Sequence, residues 1–441
     1  MRHFSLRPRV FWLLGLGMLL PLIFGGGDDV IVALAVYYAA LAGAVILDGV
    51  CIGRKIPVDV RRMPVESFTL DTQADVGIAI SNPQKRPIYL TVRDTPSHQL
   101  TSPQNSTISG LVVPPGKRTV VSYSVRPCLR GDAEFGRLYA RVGGPLRWVC
   151  RDFAVGEPRG VQVFPNQREA EAFTLLAQRN RLHQAGIRSA RLQGVGREFE
   201  SLRDYLPDDE MRHVDWKATA RRGHLVSRQY ESERSQTLIL LVDIGRTMRT
   251  VIGSLRKLDY AISAILLLAR VATQSDDRVG LVVFSDQVHC YIPPNRGHAH
   301  LKKLVSALYN LDAGTEESDY RAVIAYLDLR WRKRALIVCF TDLWDPDSSR
   351  ETIKELAQLR VRHLPIVVTI EDSNLETAAK VPALNRDAMF YRATALQMRH
   401  DRYRAIDALR SQRIAVLDAP ADKLSVSLVN QYLKIKRDML L

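Results

Sequence analysis

Two apolar runs close to the N-terminus constrain this chain more than any other feature. Residues 10–24 carry no charged side chain, and a short Gly- and Asp-containing link leads into a second apolar run at residues 30–47. Each run approaches the roughly 20 apolar residues that a helix needs to cross a bilayer. A second run directly behind the first, with no small-residue cleavage pattern between them, argues against a cleaved signal peptide. The sequence therefore predicts a transmembrane helical hairpin, with helices at about residues 10–26 and 29–50.

Charge on either side of the two runs predicts their orientation. The link between the runs carries only Asp28 and Asp29, whereas cations lie on both outer sides. These cations are Arg2, Arg7, Arg9, Arg54, Lys55, Arg61 and Arg62. Because cytoplasmic flanks carry the excess of Lys and Arg, both termini and the whole soluble body are expected in the cytoplasm. We therefore expect a multi-pass protein of the inner (plasma) membrane, with the lipid bilayer as one partner.

Composition limits the remaining function classes. With 441 residues, 46% hydrophobic and 25% charged, the chain is long enough for two or three folded units. Its formal charge of +15 suits contact with phosphate, but the cations are interleaved with acids, and we find no zinc-finger or RNA-recognition signature. Nucleic-acid binding is therefore not expected. The five cysteines have no CxxC spacing, so no metal knuckle is expected, and their odd, scattered number suits a reducing compartment.

Residues 56–160 have the pattern of a small β-domain. Short alternating runs at residues 76–80, 88–92, 119–125 and 137–142 are separated by turn residues. This spacing predicts an immunoglobulin-like β-sandwich without catalytic features.

The C-terminal half, residues 236–441, reads as an α/β domain. Continuous apolar strands are predicted at residues 237–242, 278–284, 335–340, 364–370 and 413–417, and helices at residues 258–273, 299–311, 319–329, 349–359 and 421–436. Strands without alternation, separated by helices, predict a doubly wound parallel sheet covered on both faces. The predicted division is thus 1–55 for the membrane hairpin, 56–160 for the β-sandwich, 161–235 for a helical and charged segment, and 236–441 for the α/β domain.

Oxygen-bearing side chains follow two of the predicted parallel strands. Asp243 comes directly after the first strand, and Asp342 follows the strand that ends at Phe340. Ligands of doubly wound sheets bind beyond the carboxyl ends of the strands, and hard cations prefer such oxygen ligands. Two interpretations stay open: a site for Mg²⁺ or Mn²⁺, and a structural role in which Asp243 caps the following helix.

This arrangement resembles the metal-ion-dependent adhesion site of von Willebrand factor type A domains, whose first loop has the form Asp-x-Ser-x-Ser. Asp243 and Thr247 match that loop, whereas Gly245 replaces one of its two hydroxyl residues and Arg246 brings a cation next to it. The third ligand would be Ser318, with Thr315 as the other candidate. The metal ligands implied by the resemblance are therefore Asp243, Thr247, Ser318 or Thr315, and Asp342.

The segment before the sheet resembles a second family. Its features are Gly196, Glu198, Phe199, Leu202, Arg203, Asp204, Tyr205, Asp208, Asp209, Arg212, Asp215, Trp216, Lys217, Ala218, Ala220 and Arg221. This pattern is similar to the bacterial domain of unknown function 58 family, which pairs such a segment with a von Willebrand type A-like domain. The resemblance implies an adaptor that works with a MoxR-type AAA ATPase, because family members are commonly encoded beside such ATPases and transglutaminase-like proteins.

The charged residues of this segment permit two interpretations. They form an internal ion-pair clamp, or they form an exposed surface on which Trp216 and arginines anchor a partner. In the second interpretation the partner-binding residues are Arg203, Tyr205, Arg212, Asp215, Trp216 and Arg221.

Known catalytic motifs are missing from the sequence. It contains no P-loop and no GxSxG elbow, so nucleotide hydrolysis and the usual α/β-hydrolase chemistry are not expected. We predict a non-enzymatic, membrane-anchored protein-binding adaptor, with dependence on a divalent cation left open. The alternatives are a metal-dependent hydrolase that uses Asp243, Asp342 and nearby acids, and a structural scaffold with a degenerate metal site.

Overall fold

A computed structural model shows two compact units, Met1–Phe164 and Pro165–Leu441. The structure describes residues 4–24, 28–53, 58–102, 106–166, 198–205, 211, 214–231, 236–343, 349–382 and 385–438. The protein is a mixed α/β, multidomain chain with several separate sheets. The three boundaries between the four predicted domains remain predictions.

The first unit begins with strand β1 (Phe4–Leu6) and two apolar helices, α1 (Pro8–Phe24) and α2 (Asp28–Ile52). Within the described residues, Val30–Ile52 is long and apolar enough to span a membrane, with a mean hydropathy of 2.5 and few buried residues. Pro8–Leu19 is a shorter apolar helix. The two helices touch, because the hydroxyl of Tyr37 donates to the carbonyl of Leu13 at 2.8 Å.

Eleven strands follow in the described part of this unit. They are β2 (Asp59–Arg62), β3 (Ser67–Thr69), β4 (Ala74–Ser81), β5 (Ile88–Arg93), β6 (Leu100–Thr101), β7 (Thr107–Val113), β8 (Arg118–Pro127), β9 (Gly131–Phe135), β10 (Leu138–Gly143), β11 (Val149–Val155) and β12 (Arg159–Phe164). They form sheets ordered β1-β11-β10-β5-β7, β2-β4-β8-β6 and β3-β12-β9. Burial alternates along strands such as β9 and β10, as expected where one face packs on a core and the other meets solvent.

Both ends of the apolar helix pair meet strand β11. Strand β1, which precedes α1, pairs antiparallel with β11. Near the end of α2, the buried carboxylate of Asp48 accepts hydrogen bonds from the backbone amides of Leu146, Trp148 and Val149 at 2.8, 2.9 and 3.0 Å. The start of the first helix and the end of the second are therefore fixed to the same edge of the β-unit.

The second unit contains a short β-hairpin and a larger α/β layer structure. The described part of the hairpin region comprises β13 (Glu198–Asp204), helix α3 (Trp216–Arg222) and β14 (Val226–Glu231), with β13 antiparallel to β14. The sequence pattern predicted a helical, charged segment over 161–235. Its described part consists mainly of the two paired strands β13 and β14. The predicted helix at residues 164–184 lies largely outside the described residues.

In the described residues of the α/β part, six strands form one sheet. The strands are β15 (Thr237–Asp243), β18 (Arg278–Phe284), β19 (Val288–Asn295), β20 (Leu336–Phe340), β21 (Leu364–Glu371) and β22 (Ala415–Pro420); β16 (Val251–Ile252) and β17 (Leu255–Arg256) form a separate small ribbon. The helices are α4 (Lys257–Gln274), α5 (His298–Tyr309), α6 (Tyr320–Arg330), α7 (Arg350–Gln358), α8 (Ser373–Lys380), α9 (Arg386–Ser411) and α10 (Leu424–Arg437). The sheet order is β19-β18-β15-β20-β21-β22, parallel except for the antiparallel edge strand β19.

Two apolar cores cover the sheet from opposite sides. One contains residues of α4, α5 and α10, and the other contains residues of α6, α7 and α9. Strand β15 is buried along almost its whole length, because both faces are covered by helices. Because helices cover both faces, the sheet is open to ligands only at the ends of its strands.

Candidate functional site

The strand order reverses between β15 and β20, which are paired neighbours in the centre of the sheet. Asp243 is the last residue of β15, and Asp342 lies two residues beyond β20. In doubly wound sheets, the crevice at such a reversal is where ligands bind. The topology therefore places both predicted carboxylates at the preferred ligand-binding edge.

The carboxylate of Asp243 is only 1% exposed, and hydrogen-bond donors surround it. One oxygen, Oδ1, accepts from the Gly245 amide at 2.7 Å and from the Ser318 hydroxyl at 2.5 Å. The other, Oδ2, accepts from the hydroxyls of Tyr320 and Thr341, each at 2.7 Å. Burial, and then the charge of Asp243, raise the pKa of Tyr320 well above its usual value, so this phenol remains a donor. Four donors thus stabilise the buried carboxylate.

Packing, and not backbone conformation, explains the glycine at position 245. Its φ of −70° is available to any residue, but an added Cβ would lie 2.2 Å from the Ser318 hydroxyl oxygen. The Ser318 side chain therefore fills the space that a side chain at position 245 needs. The loop 243–247 therefore carries one hydroxyl residue, Thr247, where the adhesion-site pattern expects two.

Asp342 is oriented towards cations of the protein itself. Its Oδ2 pairs with the ammonium of Lys257, and its Oδ1 pairs with the guanidinium of Arg402. Arg402 also donates to Asp418 at 2.6 Å and to the carbonyl of Ile370 at 3.0 Å. Burial lowers the pKa of Arg402, but the carboxylates of Asp342 and Asp418 outweigh burial and raise this pKa above its usual value.

The remaining predicted metal ligands are Thr247 and Thr315. Thr247 is half-buried and lines the same cleft as Asp243 and Ser318. Thr315 is exposed, and its hydroxyl donates to the Glu316 carboxylate at 3.2 Å. Among the described residues no group of three or more His, Cys, Asp or Glu side chains is arranged to hold a metal ion. A Mg²⁺ or Mn²⁺ site remains a prediction from the sequence.

A cleft of about 870 Å³ lies over Asp243. Among the described residues, seven carboxylates line it against two arginines. The carboxylates are Asp243, Asp286, Glu317, Asp319, Asp342, Glu351 and Glu355, and the arginines are Arg246 and Arg321. We call this the acidic cleft. Five of these acids were missed by the sequence analysis, although Asp286 lies two residues beyond β18, as Asp342 lies two residues beyond β20.

A smaller cavity of about 230 Å³ borders the acidic cleft, and both include Asp342 and Leu343. Lys257 and Arg402 contribute to its wall, together with apolar side chains of α8 and α9. Next to it, the first turns of α9 expose Met389, Phe390 and Tyr391 by 60–63%.

The predicted partner-binding residues of the hairpin region are described only in part. Asp215 caps α3 by accepting from the amides of Lys217 and Ala218, both at 3.0 Å. Trp216 is 62% exposed and Arg221 is also exposed, whereas Tyr205 is half-buried. Arg212 and the side chain of Arg203 lie outside the described residues. An ion-pair clamp through these arginines therefore stays a prediction.

Residues 201–404 match the family described as "Protein of unknown function DUF58". This is the family that the pattern around Asp215 and Trp216 predicted. The chain is 23% identical over 184 residues to the uncharacterized protein Rv1480 of Mycobacterium tuberculosis (strain ATCC 25618 / H37Rv), a match that covers 41% of this chain and 57% of that protein. It is 24% identical over 204 residues to the uncharacterized protein YeaD of Bacillus subtilis (strain 168), covering 41% of this chain and 48% of that protein. The chain thus spans about half the length of these relatives.

Two solved structures show more distant likeness. An aerotolerance-related membrane protein from Bacteroides fragilis NCTC 9343 is 13% identical, with a TM-score of 0.31, and the match covers 45% of this chain and 98% of that chain. The conserved hypothetical protein BatB from Bacteroides thetaiotaomicron is 10% identical, with a TM-score of 0.30, covering 46% of this chain and 99% of that chain.

Proposed function

We propose that this chain is a membrane-anchored, non-enzymatic adaptor that binds another protein through the acidic cleft. The observation that carries the proposal is the excess of carboxylates in a cleft at the carboxyl edge of the sheet, where α/β folds bind ligands. Such a surface attracts Lys and Arg side chains and repels acidic segments. The partner therefore presents a basic segment to the cleft.

The membrane anchor in this proposal is the predicted helical hairpin. Support comes from strand β1 and from Asp48, because both ends of the helix pair meet strand β11. A hairpin with both ends on the side of the β-unit matches the distribution of cations in the sequence. We propose a multi-pass arrangement in a bacterial inner membrane, with both termini and both folded units in the cytoplasm.

The finer fold assignments belong to the same proposal. We assign the β-unit to the immunoglobulin-like sandwiches, since its strands alternate in burial across separate, mainly antiparallel sheets. We assign the α/β unit to the von Willebrand type A-like domains on the sequence pattern around Asp243 and Asp342.

The partner we propose is a MoxR-type AAA ATPase, acting in the assembly or maturation of other proteins. This proposal rests on the family resemblance of the segment before the sheet. The exposed Trp216 and Arg221 would supply a second contact, as Trp and Arg are frequent anchors of interfaces.

The hydrolase alternative has less support. Both oxygens of Asp243 already accept hydrogen bonds, and both oxygens of Asp342 pair with cations. A general base must be free to accept the proton that it abstracts, whereas in this conformation each oxygen of Asp243 already accepts two hydrogen bonds and Asp342 is held between two cations.

The test is binding of a MoxR-type ATPase to the full chain in lipid nanodiscs. Glu317→Lys combined with Glu351→Lys reverses two charges at the exposed rim of the acidic cleft. We expect roughly tenfold weaker binding, about 1.4 kcal/mol, with a smaller difference at high salt. The matched control is Asp407→Lys, an exposed acid away from the cleft, which should leave the affinity unchanged. Equal effects of the control and the cleft variant would contradict the proposal.

A further inference from the structure

The charge around Asp342 is balanced by the protein itself. The side chains of Asp342 and Lys257 are each 2% exposed, and that of Arg402 is 9% exposed. A buried carboxylate needs a cation or several donors to offset the loss of water. Here each of its two oxygens has a separate cationic partner.

Both cations are held in place by other contacts. Lys257 is the first residue of α4, and its amide donates to the carbonyl of Thr250 at 2.8 Å. The carboxylate of Asp259 accepts from the Arg256 amide at 3.0 Å and so fixes the start of this helix. Lys257 also lies 4.0 Å from the carboxylate of Asp372.

Arg402 reaches Asp342 from the other side of the sheet. Helix α9 packs on the opposite face from α4, and the contacts of Arg402 with Asp418 and Ile370 orient its guanidinium. Planar guanidinium groups suit such multiple contacts. Two helices from opposite faces therefore converge on one carboxylate at the end of β20.

We propose that Lys257 and Arg402 take the place of a divalent cation beside Asp342, so that this edge of the sheet is complete without a metal. The arrangement around Asp243 agrees with this, since Ser318 fills the space beside Gly245 and four donors already bind the carboxylate. A metal ion at this edge would have to displace the ammonium or the guanidinium from Asp342. The residues present do not fit the adhesion-site ligand set.

The first experiment uses Mn²⁺ alone as the probe, titrated into the full chain in nanodiscs and followed by the electron paramagnetic resonance signal of free Mn²⁺. We expect no saturable binding up to millimolar Mn²⁺, and no change in the midpoint of thermal unfolding between EDTA and MnCl₂. Saturable binding that is lost in Asp342→Asn would overturn the proposal.

The second experiment tests the ion pair by thermal unfolding in EDTA. Lys257→Met leaves Asp342 with one cation fewer, so we expect the midpoint to fall by several degrees, and Lys257→Arg to retain most of the stability. Lys257→Met combined with Asp342→Leu removes both charges and should recover a large part of the loss, because an unpaired buried charge costs more than a missing pair. Losses that simply add in the double variant would refute the pairing.

Neither experiment uses the protein partner. A failure of the acidic-cleft variants to weaken ATPase binding would therefore count against the proposed function and leave this inference standing. Conversely, Mn²⁺ binding at Asp342 would overturn this inference without affecting the adaptor proposal.

Discussion

Gly245→Ala is the substitution whose effect follows most directly from the geometry. The new methyl group would lie 2.2 Å from the hydroxyl oxygen of Ser318, well inside contact distance. Ser318 must then turn away, and Asp243 loses the donor that contacts its Oδ1 at 2.5 Å.

Two effects set the magnitude. A hydrogen bond to a charged group contributes about 1.5–3 kcal/mol. Overpacking of a well-filled site costs about 1–3 kcal/mol. Since rotation of Ser318 relieves part of the overlap, we expect a loss of about 2–4 kcal/mol in the free energy of unfolding. For a unit of this size that corresponds to a decrease of roughly 4–16 °C in the unfolding midpoint.

The assay is thermal unfolding of the full chain in nanodiscs, followed by near-ultraviolet circular dichroism. Gly160→Ala is the control, because no atom lies within 4 Å of the position of its added Cβ. Ser318→Ala removes the hydroxyl that Gly245→Ala collides with, so the double variant should be hardly less stable than Ser318→Ala alone. A neutral Gly245→Ala, or full additivity in the double variant, would refute the packing explanation.

Three further results are expected. Burial lowers the pKa of His363 below 6.5, so the folded state binds fewer protons than the unfolded state and stability falls as the pH drops below 6.5. His363→Phe should therefore reduce the loss in unfolding midpoint between pH 7.5 and pH 5.5. An unchanged loss would exclude His363 as its cause. Asp48→Ala leaves three backbone amides without their acceptor and should cost about 2–4 kcal/mol of the first unit's stability. Thermal unfolding measures this loss, and no change would mean that the Asp48 contact does not hold α2. Ser5 is the register partner of Cys150 across β1 and β11, so Ser5→Cys should form a disulfide with Cys150 under mild oxidation. Peptide mapping should detect this disulfide, and Cys150→Ser should abolish it. No cross-link would place the N-terminus away from β11.

Much of the α/β unit was predictable because buried parallel strands have a strong signature. Uninterrupted apolar runs marked β15, β18 and β20 to within a residue or two. Strand β19 was missed because it contains Pro293 and Pro294, which are tolerated only at a sheet edge. Helix α9 was missed because about two thirds of its residues are exposed, so it lacks an apolar stripe along its length.

The site was predicted in its parts rather than in its arrangement. Strand ends marked Asp243 and Asp342, but sequence spacing gives no sign that Lys257 and Arg402, 85 and 60 residues from Asp342, lie beside it. The need for glycine at position 245 could not be predicted either, because it depends on the position of Ser318, 73 residues further along the chain. Long-range packing decides such contacts, and local patterns do not report it.

Position-specific photocrosslinking in bacterial cells tests the adaptor proposal most directly. A benzophenone side chain at Thr352, in the wall of the acidic cleft, is compared with one at Val361, which is 91% exposed and outside the cleft. We predict a cross-link to a MoxR-type ATPase from position 352 alone, reduced by Glu317→Lys with Glu351→Lys. Equal cross-linking from both positions, or a cross-link that survives reversal of the cleft charges, would contradict recognition through the acidic cleft.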